Sequence, residues 1–255
     1  MLVGRVVERN LYVLRAAWLK GWIIATVVIP ALYLGALGVG LGGVIDQRHA
    51  TVAGVSYLQF VTPGLLCATA MQEAAGATMW PVLGGVQWDG RYLAMVATPL
   101  APADIHRDEL LWMAARSTAS GTVFLTIAAL LGGLHSPWAV LALPASVLTA
   151  TTFATILSGF AIRQRNDTAL SLVFRLGIMP IFLFSGAFFP VSLLPAAMRP
   201  LTWVSPLWHG VELARHATTG QPHWLPDLLH VVVLVALIAA FVRWGRRGFE
   251  RRLTA

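Results

Sequence analysis

The chain has 255 residues, of which 57% are apolar and only 11% are charged, and its mean hydropathy is +0.72. Because a soluble domain carries about a quarter charged residues, this composition excludes an ordinary soluble protein and predicts an integral membrane protein. The formal net charge is +7, and Lys20 is the only lysine beside the arginines. No basic run alternates with aromatic residues in the way that binds a phosphate backbone, so we expect no nucleic-acid partner.

The N-terminal segment 1–20 mixes arginines with apolar residues at helical spacing. Leu11, Leu14 and Trp18 share one face at i, i+3 and i+7, which predicts an amphipathic helix at the inner membrane–water interface, in contact with lipid. The alternative is an ordinary positively charged flank of the first span. The apolar run that follows begins near Trp22 and is too long for a signal-peptide core, so no removable signal is expected.

Six stretches are apolar over about 20 residues, the length that a helix needs to cross a bilayer. They are 22–44, 58–83, 110–132, 138–160, 170–189 and 227–244. We therefore predict an all-α integral membrane fold with six transmembrane helices, in a single domain over 1–255. With the N-terminus inside, thirteen basic residues fall on inner segments and three on outer ones. The positive-inside rule then places both termini in the cytoplasm.

The connection over 84–109, on the cytoplasmic side, is longer than a helix hairpin requires. A short apolar stretch from Tyr92 to Val96 is followed by Pro99 and Pro102, which stiffen the chain. Asp104 is the expected N-cap of the next helix. These features predict a short helix across the cytoplasmic mouth that contacts another protein.

The outer connection over 190–226 is too apolar for a freely solvated loop and too rich in proline for one span. Short helices that re-enter the outer leaflet, shielded by protein, reconcile the two properties. Trp203, Trp208 and Trp224 are typical of the membrane–water interface.

Ionisable side chains inside the predicted spans are costly and suggest function. Glu73 lies near mid-membrane beside Met71 and Gln72, and Arg116 differs from it in depth by only about 6 Å. Arg175 lies in the fifth span. Two interpretations stay open: Glu73 and an arginine form a buried structural pair, or Glu73 and Gln72 line a substrate cavity.

Four histidines recur at intervals of seven residues: His209, His216, His223 and His230. Gly220 and two prolines interrupt this segment, so no continuous helix can present them as one stripe. We therefore expect scattered interfacial histidines and no metal site. The single cysteine, Cys67, lies in an apolar stretch and excludes an internal disulfide.

Signatures of catalysis are absent from the sequence. There is no H-E-x-x-H, no G-x-S-x-G and no phosphate-binding G-x-x-x-x-G-K-[ST]. We expect no catalytic residue and no cofactor in this chain. If ATP drives the protein, the ATPase is a separate polypeptide.

Three segments together resemble permeases of the ABC-2 type exporter family. Residues 57–83 resemble the second helix of that family, and residues 88–110, with T-P-L-x-P at 98–102, resemble its inner coupling segment. Residues 182–215, which contain S-G-x-F-F-P, resemble its late signature. The segments are similar to those of nodulation-factor exporter permeases and daunorubicin-resistance permeases.

The resemblance implies a subunit that pairs with a second copy or a related permease in the bacterial inner membrane. Two cytoplasmic ATP-binding subunits would hold the ATP and Mg²⁺. Segment 1–20 would be a connecting helix and 86–106 the coupling helix, with a second contact in the inner loop after span four. The expected coupling residues are Trp88, Asp89, Arg91, Tyr92, Pro99, Pro102, Gln164, Arg165 and Asp167.

The resemblance also implies a substrate pathway along spans one, two and five, closed on the outside by the re-entrant helices. The expected pathway residues are Met71, Gln72, Glu73, Phe182, Phe184, Phe188 and Phe189. Each phenylalanine, taken singly, also fits a lipid-facing or packing role.

The expected function is ATP-driven export of an amphiphile, such as a drug, a glycolipid or a lipid-linked saccharide. The alternative is an ATP-independent secondary transporter or channel, although the sequence shows no inverted repeat and no matched pair of broken helices. A membrane enzyme or an assembly scaffold has no residue constellation to support it.

Overall fold

The computed structural model describes residues 12, 19–46, 51–52, 54–221 and 223–254. Within these residues every regular element is helical, and an isolated β-bridge joins Val52 to Val55. The expected all-α architecture is therefore confirmed for the described residues. The interfacial helix expected over 1–20 lies outside them, apart from Tyr12 and the two residues that begin the first helix.

Among the described residues of the N-terminal half there are six α-helices, a π-helical segment and a 3-10 turn. They are α1 (Leu19–Tyr33), a π-helical segment (Leu34–Leu41), α2 (Gly42–Asp46), α3 (Tyr57–Gln87), α4 (Arg91–Val96), α5 (Pro102–Leu130), a 3-10 turn (Pro137–Leu141) and α6 (Ala142–Ala161). A capping box begins α3, because Ser56 Oγ accepts from the Gln59 N–H and Gln59 Oε1 accepts from the Ser56 N–H. The N-cap of α5 is Ala101 rather than Asp104, which lies in the first turn, where an acidic group interacts favourably with the helix dipole.

The C-terminal half is more broken. It contains α7 (Thr168–Val173), a π-helical turn (Phe174–Ile178), α8 (Met179–Phe184), a 3-10 turn (Val191–Leu193), α9 (Arg199–Val204), α10 (Pro206–Thr219) and α11 (Trp224–Leu253). Pro200, Pro206 and Pro226 lie in the first turns of α9, α10 and α11, where their missing N–H costs no hydrogen bond.

The six predicted spans overlap helical segments of the structure, although the fifth, 170–189, leaves the helix after Phe184. Three helices among the described residues are long and apolar enough to cross a membrane: Thr26–Val44, Pro137–Ala161 and Trp224–Leu253. Thr168–Phe184 is a shorter apolar helix. Because α3 and α5 carry many polar side chains, their mean hydropathy is lower, and the number of six crossings stays a prediction.

Helix α3 lies at the centre of the bundle and packs against α5, α6 and α10. Small residues allow the close approach that helices in a membrane require. A Cβ added at Gly64 would collide with the Ala187 backbone, and one at Gly210 would collide with the Thr149 side chain. The packed core therefore joins the first half of the chain to the outer helices of the second half.

Candidate functional site: a cavity between α1, α3 and α5

A cavity of about 810 Å³ lies between α1, α3, α5 and the turn that precedes α4. Gln72 and Glu73, both expected in a substrate pathway, line it together with Arg116 and Ser120. Met71 does not line the cavity, because its side chain is fully buried in the core. The structure thus brings together residues from the first three predicted spans, and span five supplies none of the lining.

An ion pair crosses the cavity wall between α3 and α5. Arg116 Nε donates to Glu73 Oε1 over 2.6 Å, and the Ser120 hydroxyl donates to Glu73 Oε2 over 2.5 Å. Arg116 and Ser120 are four residues apart and therefore lie on one face of α5. Both carboxylate oxygens are bonded, which lowers the cost of placing the charge among apolar side chains. Glu73 therefore fits both interpretations, because its carboxylate is paired with Arg116 and also lines the cavity.

Arg175 is not brought to this pair. Phe174, one residue before it, packs edge to face on Trp80 of α3 with ring centroids 5.6 Å apart. Because successive side chains of a helix are rotated by roughly a quarter turn about its axis, the Arg175 side chain points away from α3. Its side chain is exposed and forms no ion pair with any described residue.

The expected coupling segment forms one mouth of the same cavity, at the end that we predict to face the cytoplasm. Trp88, Asp89, Arg91 and Glu109 line this end. Gly90 has φ +62°, a backbone conformation that favours glycine, and it turns the chain from α3 into α4. Arg91 closes the turn, because its N–H donates to Asp89 Oδ1 and its Nη2 donates to the Pro81 carbonyl.

Tyr92 anchors α4 to the rest of the bundle. Its hydroxyl donates to Glu109 Oε1 over 3.0 Å and accepts from Arg91 Nη2 over 3.2 Å. The ring is fully buried, edge to face with Phe249 of α11. Burial, with the Glu109 carboxylate adding to it, raises the pKa of Tyr92 well above its usual value. Tyr92 therefore positions α4, whereas Trp88 and Leu93 present exposed surface.

The remaining expected coupling residues differ in exposure. Pro99 is exposed, and the half-buried Pro102 begins α5. Arg165 and Asp167 are exposed in the loop before α7, while the half-buried Gln164 donates to the Phe160 carbonyl over 3.3 Å. The two loops therefore expose residues that a partner can reach, each beside residues that fasten it to the bundle.

Three of the four expected pathway phenylalanines lie near one another, and Phe184 lies apart from them. Phe182 and Phe188 contact each other edge to face at 5.0 Å. Phe188 and Phe189 line a second cavity of about 520 Å³, and the Tyr57 hydroxyl donates to the Phe188 carbonyl there. Phe184 is 37% exposed and does not join them.

The interpretation of the histidines as scattered is wrong. His209 on α10 and His230 on α11 lie with their Nδ1 atoms 2.7 Å apart. His216 Nδ1 lies 2.5 Å from Asp227 Oδ1, and the His216 ring lies 5.0 Å from that of His223. A continuous stripe is not needed, because α10 and α11 run back along each other after the turn at Gly220. Across the described residues, no three metal-binding side chains are arranged to hold an ion.

Arg215 is a further residue that sequence reasoning missed. Its guanidinium donates to Glu212 Oε1 and to the Gly186 carbonyl, each over 2.6 Å, and lies over the ring of Phe60 at 4.3 Å. It thus joins α10, the end of α8 and α3. Glu212, three residues earlier on the same helix, is the only nearby residue that could have indicated an ion pair, since Gly186 and Phe60 are distant in sequence.

Comparisons with known proteins agree with this architecture. Residues 3–218 match the ABC-2 type transporter family. Because the match covers most of the chain, the chain belongs to the ABC-2 type transporter family, whose members include membrane permeases.

Individual relatives match along nearly their whole length. The chain is 32% identical to nodulation protein J of Rhizobium leguminosarum bv. viciae over 243 residues, which covers 93% of this chain and 91% of that protein. It is 29% identical to nodulation protein J of Rhizobium meliloti (strain 1021), covering 88% and 84%. It is 26% identical to the inner membrane transport permease YadH of Escherichia coli (strain K12), covering 88% and 86%. No solved structure gives a significant match.

Proposed function

We propose that this chain is the membrane subunit of an ATP-driven exporter that moves an amphiphile out of the cytoplasm or the inner leaflet. The observation that carries the proposal is the continuous cavity that joins Glu73 and Arg116 to Trp88 and Arg91. Its apolar walls suit a hydrocarbon portion, and its polar groups suit a headgroup. A ligand there would touch the segment that we expect to contact the ATPase.

The partners follow from the same proposal. Two copies of a cytoplasmic ATPase would bind the exposed residues around α4 and the loop before α7, and would hold the ATP and Mg²⁺. A second copy of this chain or a related permease would complete the pathway. The relative from E. coli is named an inner membrane transport permease, which supports a bacterial inner membrane location. The excess of basic residues on the predicted inner segments supports cytoplasmic termini.

The test is affinity purification of the tagged chain from its native host in mild detergent, followed by mass spectrometry. We expect a stoichiometric partner with a phosphate-binding loop. Trp88→Ala should weaken recovery of the partner, because that indole is 64% exposed at the cytoplasmic turn. Trp203→Ala, which removes a 54% exposed indole from the outer connection, is the matched control and should leave recovery unchanged.

Two results would contradict the proposal. A single species under gentle conditions would favour an ATP-independent transporter. Equal partner loss in both tryptophan variants would show that the cytoplasmic turn is not the docking surface.

A further inference from the structure

Arg116 has hydrogen-bonding capacity that its ion pair does not use. Only Nε contacts Glu73, and no described residue accepts a hydrogen bond from Nη1 or Nη2. The side chain is 28% exposed and lines the cavity. The unused edge of a guanidinium is a planar fork of N–H donors, which fits the oxygens of a phosphate, sulfate or carboxylate in two parallel bonds.

The surrounding polar groups leave this region rich in donors. Both oxygens of Glu73 already accept, one from Arg116 and one from Ser120. At the mouth, Asp89 accepts from the Arg91 N–H through Oδ1 and Glu109 accepts from the Tyr92 hydroxyl through Oε1, so the saturated carboxylate is the one beside Arg116. Beside Arg116, a ligand that brings acceptor oxygens therefore matches the free hydrogen-bonding capacity better than a ligand that brings donors.

The walls around Arg116 are apolar and aromatic. Ile29, Leu66, Trp80 and Phe124 contribute from α1, α3 and α5. Such a surface gains free energy by covering a hydrocarbon chain. The ligand must then carry both an acceptor-rich end and an apolar portion.

We infer that the cavity binds an amphiphile whose polar end is an oxyanion, held by Nη1 and Nη2 of Arg116. Glu73 is a positioning residue that fixes the guanidinium through Nε and leaves the fork directed at the ligand. This inference rests on the proposed function only in naming the bound amphiphile as the exported one. The binding itself is measured without the ATPase.

The Glu73 charge gives the inference a distinctive consequence. Glu73 orients Arg116 but repels a bound anion, whereas a glutamine in its place would still offer an amide oxygen to Nε without the negative charge. Glu73→Gln should therefore bind the oxyanion about threefold to tenfold more tightly. If the pair were only structural, the same variant would show unchanged or weaker binding.

The experiment uses the full chain in phosphatidylcholine nanodiscs and three single-chain probes. Decyl phosphate, decyl maltoside and decyltrimethylammonium are titrated, and the intrinsic tryptophan fluorescence, to which the wall residues Trp80, Trp88 and Trp112 contribute, is followed. We expect saturable binding of decyl phosphate alone, at least tenfold weaker in Arg116→Gln and intermediate in Arg116→Lys. Arg175→Gln, the same change at an exposed arginine away from the cavity, should bind as the wild type does.

Several results would overturn the inference. These are equal affinity for the maltoside, preference for the cation, or equal losses in the Arg116 and Arg175 variants. If Arg116→Gln does not fold because Glu73 is left unpaired, the double variant Glu73→Gln/Arg116→Gln removes both charges, and retained phosphate binding in it sinks the idea.

The source of the oxyanion is separated by adding phosphatidylglycerol to the nanodiscs. If decyl phosphate still binds with the same affinity, the site prefers a ligand other than a bilayer phospholipid, which supports the assignment to an exported amphiphile. If phosphatidylglycerol displaces it, the site holds a lipid phosphate and the assignment to an exported amphiphile is wrong. Recovery of the ATPase partner is unaffected in either case, so failure of this inference leaves the proposed function standing.

Discussion

His209 and His230 meet through their Nδ1 atoms at 2.7 Å and join α10 to the outer turns of α11. One ring must donate and the other accept at this distance, so the contact needs at least one neutral imidazole. Trp208 packs edge to face against both rings at 5.0 and 5.1 Å. The contact therefore requires that at least one of the two rings is neutral, so that its Nδ1 can accept the hydrogen bond.

Acidification should weaken this contact. Burial lowers the pKa of His209 below its usual value. The unfolded chain therefore binds the proton more readily than the folded one, so stability is complete above the unfolded pKa of about 6.5 and falls as the pH drops below it. We expect the thermal midpoint to fall between about pH 7 and pH 5, as measured by intrinsic fluorescence in nanodiscs.

Glutamine in place of His209 removes the protonation of that ring. His209→Gln should flatten the pH dependence, whereas His135→Gln, at an exposed histidine, should leave it as in the wild type. Glu212, His216 and Asp227 lie near His230 and also act on the cluster. A slope that persists undiminished in His209→Gln would assign the effect to those groups instead.

The histidine cluster shows where sequence reasoning reached its limit. The seven-residue interval was visible, and the break at Gly220 was correctly expected, since it has φ +73° and ends α10. What could not be read from the interval is that the two helices would return alongside each other. Contacts between separate helices depend on packing, and periodicity within one helix carries no information on it.

The polar residues of α3 and α5 were more predictable. Glu73 and Arg116 are costly inside a membrane, which marks them as candidates for a buried ion pair or for a cavity wall. Depth in the membrane favours Arg116 as the partner of Glu73 but does not exclude Arg175. The direction in which each side chain points depends on how its helix packs against its neighbours. The position of the cavity beside α1 and α5, rather than along span five, could not be predicted for the same reason.

Ser120 on α5 should stabilise the ion pair by its hydrogen bond to Glu73 on α3. Its hydroxyl donates to Glu73 Oε2, and a hydrogen bond to a charged group contributes about 1.5–3 kcal/mol when it is buried. Because this site is partly exposed, we expect Ser120→Ala to lower the free energy of unfolding by about 1 kcal/mol. Thermal unfolding in nanodiscs measures the change.

Thr118→Ala is the matched control for Ser120→Ala. Thr118 lies on the same helix and its hydroxyl likewise donates to the carbonyl four residues before it, but it is exposed and has no bond to Glu73. Its removal should change stability by less than about 0.5 kcal/mol. Equal costs in the two variants would show that the bond to Glu73 adds nothing.

Tyr92→Phe should loosen α4 while keeping the ring in place. The variant removes the hydroxyl that bridges Arg91 Nη2 and Glu109 Oε1, at a cost of about 1–3 kcal/mol. In the assembled transporter, we expect ATP hydrolysis to continue with less transport per ATP, because α4 is held less firmly against α5. The ratio of transport to hydrolysis in proteoliposomes is the measurement.

Leu93→Ala separates anchoring from surface contact. Leu93 follows Tyr92 in α4 but is 49% exposed, so its truncation should leave the thermal stability of the isolated chain unchanged. An equal loss of stability in Tyr92→Phe and Leu93→Ala would contradict the anchoring role of the Tyr92 hydroxyl.

Gly64 and Gly76 allow a direct test of the packing of α3. An added Cβ at Gly64 would collide with the backbone of Ala187, whereas at Gly76 it would meet nothing within 4 Å. Gly64→Ala should therefore force the chain after α8 outward and cost about 1–3 kcal/mol. Gly76→Ala should be neutral or stabilise α3 by up to about 1 kcal/mol, because alanine favours the helix. Unfolding midpoints of the two variants, measured side by side, should move in opposite directions. Equal destabilisation would mean that Gly76 also faces a packed surface, such as a second copy of the chain.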